Sequence, residues 1–271
     1  MAEKIEFERM KFDRFEIPYK IWGKTGPYIV CVNGAQQSMG VWRSFISFFG
    51  EQYRIVVFDF PGQGRARIIK GKLGISFDEQ ISVLHEIVKV LSHQSDIYLF
   101  GASWGGIIIA GFISRYPKLV KKAILASFGV EPSPMMMQVI EEGQKLYHNG
   151  PGENVGELII NSFGQQIPEE LKGKILHQFK TMSKEHFTAF YEHTKFVSSI
   201  RHIEDIIDLN KIETKTIIVN GENDTLLNPK DAKELSKLIP GSTFRMVKDA
   251  GHFLHFEQAD IMKIYAEYFS A

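Results

Sequence analysis

The chain has 271 residues, enough for one large α/β domain or two small ones, and long enough to bury a sizeable core without disulfide staples. Its 32 basic and 32 acidic side chains cancel, which removes the bulk electrostatic argument for nucleic acid or an anionic membrane as partner. A single cysteine, Cys31, excludes an intrachain disulfide, and no apolar run reaches the length of a membrane span.

The charged, alternating opening MAEKIEFERMKF has neither the basic start nor the apolar core of a signal peptide, so the expected compartment is the cytosol. KIEFERMKF and RFEIPYKIW alternate with period two and predict an antiparallel pair. Short β-rich runs follow at 28–32 (YIVCV), 54–60, 97–100 and 122–127, separated by helical patterns at 40–49, 77–91 and 106–116. Cys31 falls inside YIVCV and reads as a buried strand thiol. Strands alternating with helices predict a mostly parallel sheet covered on both faces. From 129 to 211 the pattern is helical with no convincing strand. The alternation then resumes with a strand at 215–221, a helix at 229–238, a strand at 243–247 and one last helix at 254–269. The expected organisation is an α/β core formed by 1–128 and 212–271, with a helical cap inserted at 129–211. Such insertions sit at strand ends, where ligands bind.

The stretch DIYLFGASWGGIIIAGF places a serine between glycines where strand becomes helix. Strand, G-x-S-x-G and helix in that order form a nucleophile elbow. The sharp turn lifts the Ser103 hydroxyl clear of the sheet, and the small residues Gly101, Gly105 and Gly106 let helix and strand approach. The helix N-terminus beneath Ser103 favours developing negative charge. Serine needs a base, and the base an orienting acid, in the chain order Ser, acid, His. His252, in the loop of VKDAGHFLHFEQ, is the base; His255 falls in the first helical turn and reads as a packing or surface residue. Asp224, in the loop of IIVNGENDTLLNP, is the acid, preferred over Glu222, nearer the strand, and Asp249, on the histidine's own loop. His85, His93, His148, His177, His186, His193 and His202 read as solvated or satisfied helix residues, without the spacing of a metal site. An acyl-transfer intermediate also needs oxyanion donors. The expected pair is the backbone N–H of Trp104 and that of Ala35, in the Asn33-Gly34-Ala35-Gln36 loop, with Gly34 and Gln36 as substrate contacts.

With these residues in place the chain resembles the α/β-hydrolase-fold family over nearly its whole length outside the insertion. FDFPGQGRAR is similar to that family's Asp-x-Pro-Gly-x-Gly turn, and GENDTLLNP and AGHF to its acid and histidine loops. The family often has His-Gly at the oxyanion loop, where this chain has Asn33-Gly34. VNGA, ASWGG and GHFL resemble a narrower branch that makes 3-hydroxyacyl lipids. Proline iminopeptidases share Ser-Trp-Gly, but their Gly-Gly-Pro oxyanion motif is absent here. The resemblance implies a serine hydrolase acting on a small-molecule carboxylic ester or thioester through an acyl-Ser103 intermediate. Its alternative is an acyltransferase moving a (3-hydroxy)acyl group from a thioester, borne by a carrier protein or coenzyme A, to a hydroxyl or thiol acceptor; a catalytically silent binding protein is disfavoured because all three triad members are present. No metal or organic cofactor, nucleic acid or membrane insertion is implied. Methionines and aromatics in SPMMMQVI and HFTAFYEHTKFV fit either cap-on-core packing or an apolar acyl slot. The insertion is net acidic, although Lys172, Lys174, Lys180 and Lys184 could form a local basic face. The run RARIIKGK reads as a solvated loop.

Overall fold

The computed structural model describes residues 7–149, 152–164, 167–227, 229–258 and 260–271. The antiparallel entry is β1 (Glu8–Phe12) and β2 (Phe15–Trp22), joined through Phe12 and Phe15. Residues 4–6 of the expected first strand lie outside the described residues. The parallel strands are β3 (Tyr28–Val32), β4 (Arg54–Phe58), β6 (Ile97–Ala102), β7 (Lys122–Ala126), β8 (Lys215–Gly221) and β9 (Thr243–Val247). A two-residue strand, β5 (Arg67–Ile68), pairs with β2 and lies within the run expected to be a solvated loop. Among the described residues these strands form one sheet, in the order β1-β2-β4-β3-β6-β7-β8-β9 with β5 beside β2.

Central strands show no alternation because both faces are covered, and every residue of YIVCV is buried. On one face α2 (Phe77–Ser92) and α3 (Trp104–Arg115) pack onto Val30, Val32 and Leu99. On the other, α1 (Arg43–Phe49) and α10 (Ile261–Ser270) pack onto Ile29, Cys31 and Phe100. Burial pushes the pKa of the Cys31 thiol well above its ordinary value, which keeps it inert.

The sequence between β7 and β8 is helical: α4 (Pro134–Asn149), α5 (Gly152–Phe163), α6 (Glu169–Thr181) and α7 (Lys184–Ser199), with no strand among the described residues of 129–211. α8 (Pro229–Leu238) follows β8. Two expected helices are corrected. The first begins as a 3-10 turn, Met39–Trp42, before α1. The last is split into α9 (Leu254–Glu257) and α10, because Gln258 is extended (φ −125°, ψ 109°). The single turn of α9 brings the Glu257 carboxylate back onto the N–H groups of Gly251 and Phe253, and α10 starts afresh against the sheet.

The tightest approach in the core is at Gly105. A Cβ there would lie 2.2 Å from the Val32 carbonyl oxygen and 2.9 Å from that of Asn33, both backbone atoms with no freedom to retreat. Gly105→Ala should therefore cost about 3 kcal/mol or more in urea unfolding. Gly173→Ala, on exposed α6 with nothing within 4 Å, should instead gain about 0.5–1 kcal/mol. Equal effects of the two substitutions would contradict this packing.

Candidate active site

Ser103 sits between the end of β6 and the start of α3 with φ 55° and ψ −126°, a backbone conformation costing about 1–3 kcal/mol for a residue with a side chain. Neighbouring structure holds it there. The Ser103 N–H donates to the Ala126 carbonyl at 2.8 Å, and its own carbonyl accepts from Gly106 at 2.9 Å. A Cβ on Gly101 would meet the Gly105 carbonyl carbon at 2.7 Å, so only glycine lets the helix turn so closely under the strand.

Asp224 follows β8 and His252 follows β9, and the two side chains meet: His252 Nδ1 lies 2.8 Å from Asp224 Oδ2, both residues being buried. The other carboxylate oxygen accepts from the Leu226 N–H at 2.9 Å. An ionised Asp224 fixes the proton on Nδ1 and leaves Nε2 as the acceptor. Burial pulls the His252 pKa down, but the charge and hydrogen bond of Asp224 and the charge of Glu257 outweigh it, and the ring titrates above its ordinary value. Ser127 Oγ donates to the His252 carbonyl at 2.7 Å. The Glu257 carboxylate accepts from the N–H of Gly251 and, at 3.1 Å, from that of Phe253, so the residues on both sides of His252 are clamped by one acid. Sequence reasoning missed this clamp; its signal was an acid five residues after the histidine, at the end of a one-turn helix. The rival acids do not reach the ring. Glu222 accepts instead from the Asp249 N–H at 3.3 Å.

The expected oxyanion loop is anchored by Asn33. Its Nδ2 donates to the Phe58 carbonyl at 2.9 Å, and its Oδ1 accepts from Trp42 Nε1 at 2.6 Å. The Gly34 N–H is occupied by Gln37 Oε1 at 2.9 Å, which leaves Gly34 as a wall residue rather than a donor. Gln36 takes φ 56°, and its carbonyl accepts from Gln178 Nε2 of α6 at 2.6 Å, joining the loop to the helices above it. Among the described residues the N–H groups of Ala35 and Trp104 have no hydrogen-bond partner.

Ser103, His252, Gly34, Ala35 and Gln36 all line one cavity of about 580 Å³. Among the described residues no hydrogen bond joins the Ser103 hydroxyl to the His252 ring in this arrangement. Helices α4 to α7 supply much of the wall, including Met136, Leu158, Phe179 and Phe187. Residues 65–72 contribute nothing to it. Three members of the expected basic face are paired: Lys172 with Glu169 at 2.5 Å, Lys174 with Glu170 at 2.6 Å and Lys180 with Glu153 at 3.2 Å. His193 departs from its expected role as a solvated or satisfied helix residue: it faces the cavity, its ring 4.5 Å from that of Trp104. His255 packs as expected, stacked 5.8 Å from Trp42, with both ring nitrogens buried and unpartnered. Among the described residues no group of three or more His, Cys, Asp or Glu is placed to hold a metal ion.

A family model described as the alpha/beta hydrolase fold matches residues 27–259. The chain is 22% identical over 229 residues to the (R)-3-hydroxydecanoyl-ACP:CoA transacylase of Pseudomonas putida, covering 84% of this chain and 77% of that one. It is 22% identical over 278 residues to the proline iminopeptidase PfmaB of Pestalotiopsis fici, covering 94% and 96% of the two chains. Among solved structures, an alpha/beta hydrolase enzyme from a Medee basin deep-sea metagenome library superposes with a TM-score of 0.83 at 20% identity, covering 97% of this chain and 98% of that one. That likeness shows the fold.

Two pH effects follow from the charges around this cavity. If His252 acts as a base, its neutral form is the working one, so kcat/KM should fall as pH drops, with the half-point above the ordinary 6.5. Glu257→Gln should move that half-point down; a pH profile unmoved by the substitution would remove Glu257 from the electrostatics. Stability should respond separately. Burial pushes His193 and His255 down to about 4, the charge of His252 adding to the effect on His255. Their folded pKa lies below the unfolded one, so their stabilising contribution is present above about pH 6.5 and is lost toward pH 4, up to about 3 kcal/mol each. His252, with a raised pKa, works in the opposite direction. Melting temperature should fall across that window, and His255→Phe should flatten the fall; an unchanged slope in that variant would contradict the assignment.

Proposed function

The chain belongs to the alpha/beta hydrolase fold family, and on that premise we propose that it is a serine hydrolase cleaving a carboxylic ester or thioester through an acyl-Ser103 intermediate. The observation that carries this reading is the 2.8 Å contact of His252 with Asp224 in the wall of the cavity that also exposes the strained Ser103.

Ser103 Oγ attacks the acyl carbon while its proton passes to His252 Nε2. Asp224 holds the Nδ1 proton and stabilises the imidazolium so formed. The carbonyl oxygen becomes an oxyanion between the free N–H groups of Ala35 and Trp104, at the positive end of α3. Collapse breaks the bond from carbon to the leaving oxygen or sulfur, and the leaving group takes the proton from His252. Water then attacks the acyl group, giving its proton to His252, and the acid departs as Ser103 recovers its hydrogen. Residues 129–211 act as a cap whose apolar side chains receive the acyl chain.

A second reading keeps every residue and changes only the acceptor. The transacylase relative and the apolar walls favour transfer of an acyl group from a thioester to a hydroxyl or thiol that displaces water. Against it, the lysines that would greet an acidic carrier protein are largely neutralised by glutamates. Hydrolysis is therefore the primary reading, with a small ester or thioester as donor. Incubated with an acyl thioester in buffer alone, the protein should release free acid continuously. Ser103→Ala should lower kcat roughly 10⁴- to 10⁶-fold, and Asp224→Asn by less, because it disturbs the tautomer rather than the attack. An acyl-enzyme that stalls until a hydroxyl or thiol acceptor is added moves the assignment to transfer. Near-normal turnover by Ser103→Ala removes both readings.

A further inference from the structure

The loop that carries the Ala35 N–H is a turn from Gly34 to Gln37. It is closed by the Gln37 N–H on the Gly34 carbonyl at 3.2 Å and by the Gly34 N–H on Gln37 Oε1 at 2.9 Å. Gln36, the third residue of the turn, takes φ 56°, while Ala35 before it keeps a negative φ. That is the type II pattern, in which glycine is the usual occupant of the third position. Gln36 therefore holds a left-handed conformation at a cost that a glycine would not meet. Relaxing to negative φ would turn over the Ala35–Gln36 peptide, which among the described residues has no hydrogen bond of its own. The bond that holds Gln36 comes from a distant part of the chain: its carbonyl accepts from Gln178 Nε2 at 2.6 Å. Among the described residues this is the only hydrogen bond between α6 and any residue outside 129–211.

Gln178 shares one face of α6 with Leu171, Lys174 and Ile175, at the spacing of a helical stripe, and all four line the cavity. Lys174 is paired with Glu170, whereas Leu171 and Ile175 are half-buried apolar wall. Leu171 stands two turns from Gln178, about 10 Å along the helix axis. A long acyl chain that runs from Ser103 along this face covers both apolar residues and holds α6 down on the loop; an acetyl group has no chain with which to do so. We propose that Gln178 is a positioning residue that couples the filling of the cavity to the oxyanion loop. A chain lying against Leu171 and Ile175 seats Gln178 on the Gln36 carbonyl, and the seated bond keeps the turn, and with it the Ala35 N–H, in its working form. Binding energy from the remote part of the substrate is thereby spent at the reacting carbonyl, where it appears in rate as well as in affinity. The inference rests on the acyl-Ser103 reading given above. It goes beyond that reading by giving a role to a side chain that does not touch the reacting atoms.

The test uses the p-nitrophenyl esters of acetic, hexanoic and decanoic acids with the full-length protein. The maximal acylation rate is read from the pre-steady-state release of p-nitrophenolate. One hydrogen bond between neutral partners corresponds to roughly 3- to 10-fold in rate. The wild-type maximal rate should therefore rise by about that factor from acetyl to decanoyl, in addition to the tighter binding that the longer chain brings. Gln178→Met, of similar length and without a donor, should remove the rise in rate while the gain in affinity with chain length stays. Gln36→Gly should raise the acetyl rate, and added to Gln178→Met it should recover the decanoyl rate, because glycine takes positive φ unaided. A merely structural role for Gln178 would produce neither the length dependence nor the rescue. A wild-type rate that is flat with chain length overturns the inference even if no variant folds. So does a rise that survives in Gln178→Met, or a loss there that Gln36→Gly does not repair. Intact-mass measurement on quenched samples separates the two levels. Acyl-Ser103 formed at a rate indifferent to chain length overturns the role of Gln178 alone, whereas turnover with no serine-bound acyl group overturns the acyl-Ser103 reading and this inference with it.

Discussion

The site depends on one steric constraint, the contact between the first turn of α3 and the carbonyl of Val32 at the end of β3. Because Gly105 has no Cβ, the helix can start directly under the neighbouring strand, and because it starts there, Ser103 must occupy the positive-φ corner between β6 and α3. The same approach leaves the Trp104 N–H at the unsatisfied end of the helix, beside the loop that carries Ala35. A strained serine and an unoccupied donor are thus two results of a single close packing, held by the pairing of Ser103 with Ala126 of β7. Local strain of this sort persists only where surrounding structure over-determines it.

Around that corner the charges are arranged unevenly. His252 has a carboxylate on its ring, a serine on its carbonyl and a second carboxylate spanning its two neighbours, and it is the histidine of the cavity whose charged form is favoured. His193 and His255 line the same cavity half-buried and without carboxylate partners, and desolvation lowers the pKa of each. Three imidazoles that line one cavity are therefore set apart by their partners: a proton is favoured on one and disfavoured on its neighbours.

Much of this was legible in the sequence, for a physical reason. A glycine-flanked serine at a strand-to-helix junction and an acid and a histidine after later strands are local patterns with strict backbone requirements, and the parallel order of the strands brings them together. Features set by tertiary contacts were not legible. The break at Gln258 leaves no glycine or proline signal, because it arises from Glu257 turning back onto the histidine loop. The placement of His193 depends on how α7 lies over Trp104, which periodicity does not encode. The lysines of α6 were visible as charges, but their neutralisation depends partly on Glu153 of a different helix. Asn33 marked a departure from the usual motif, and only the bonds to Phe58 and Trp42 show how it anchors the loop.

In the proposed mechanism Ser103 is the one hydroxyl made nucleophilic by this packing and by His252. Labelling with a fluorophosphonate probe, followed by intact-mass measurement and peptide mapping, examines that claim without knowledge of the natural substrate. The prediction is a single adduct per chain on the peptide containing Ser103, formed slowly or not at all in His252→Ala. An adduct on another residue, or rapid labelling of Ser103 that is indifferent to the loss of His252, would contradict it.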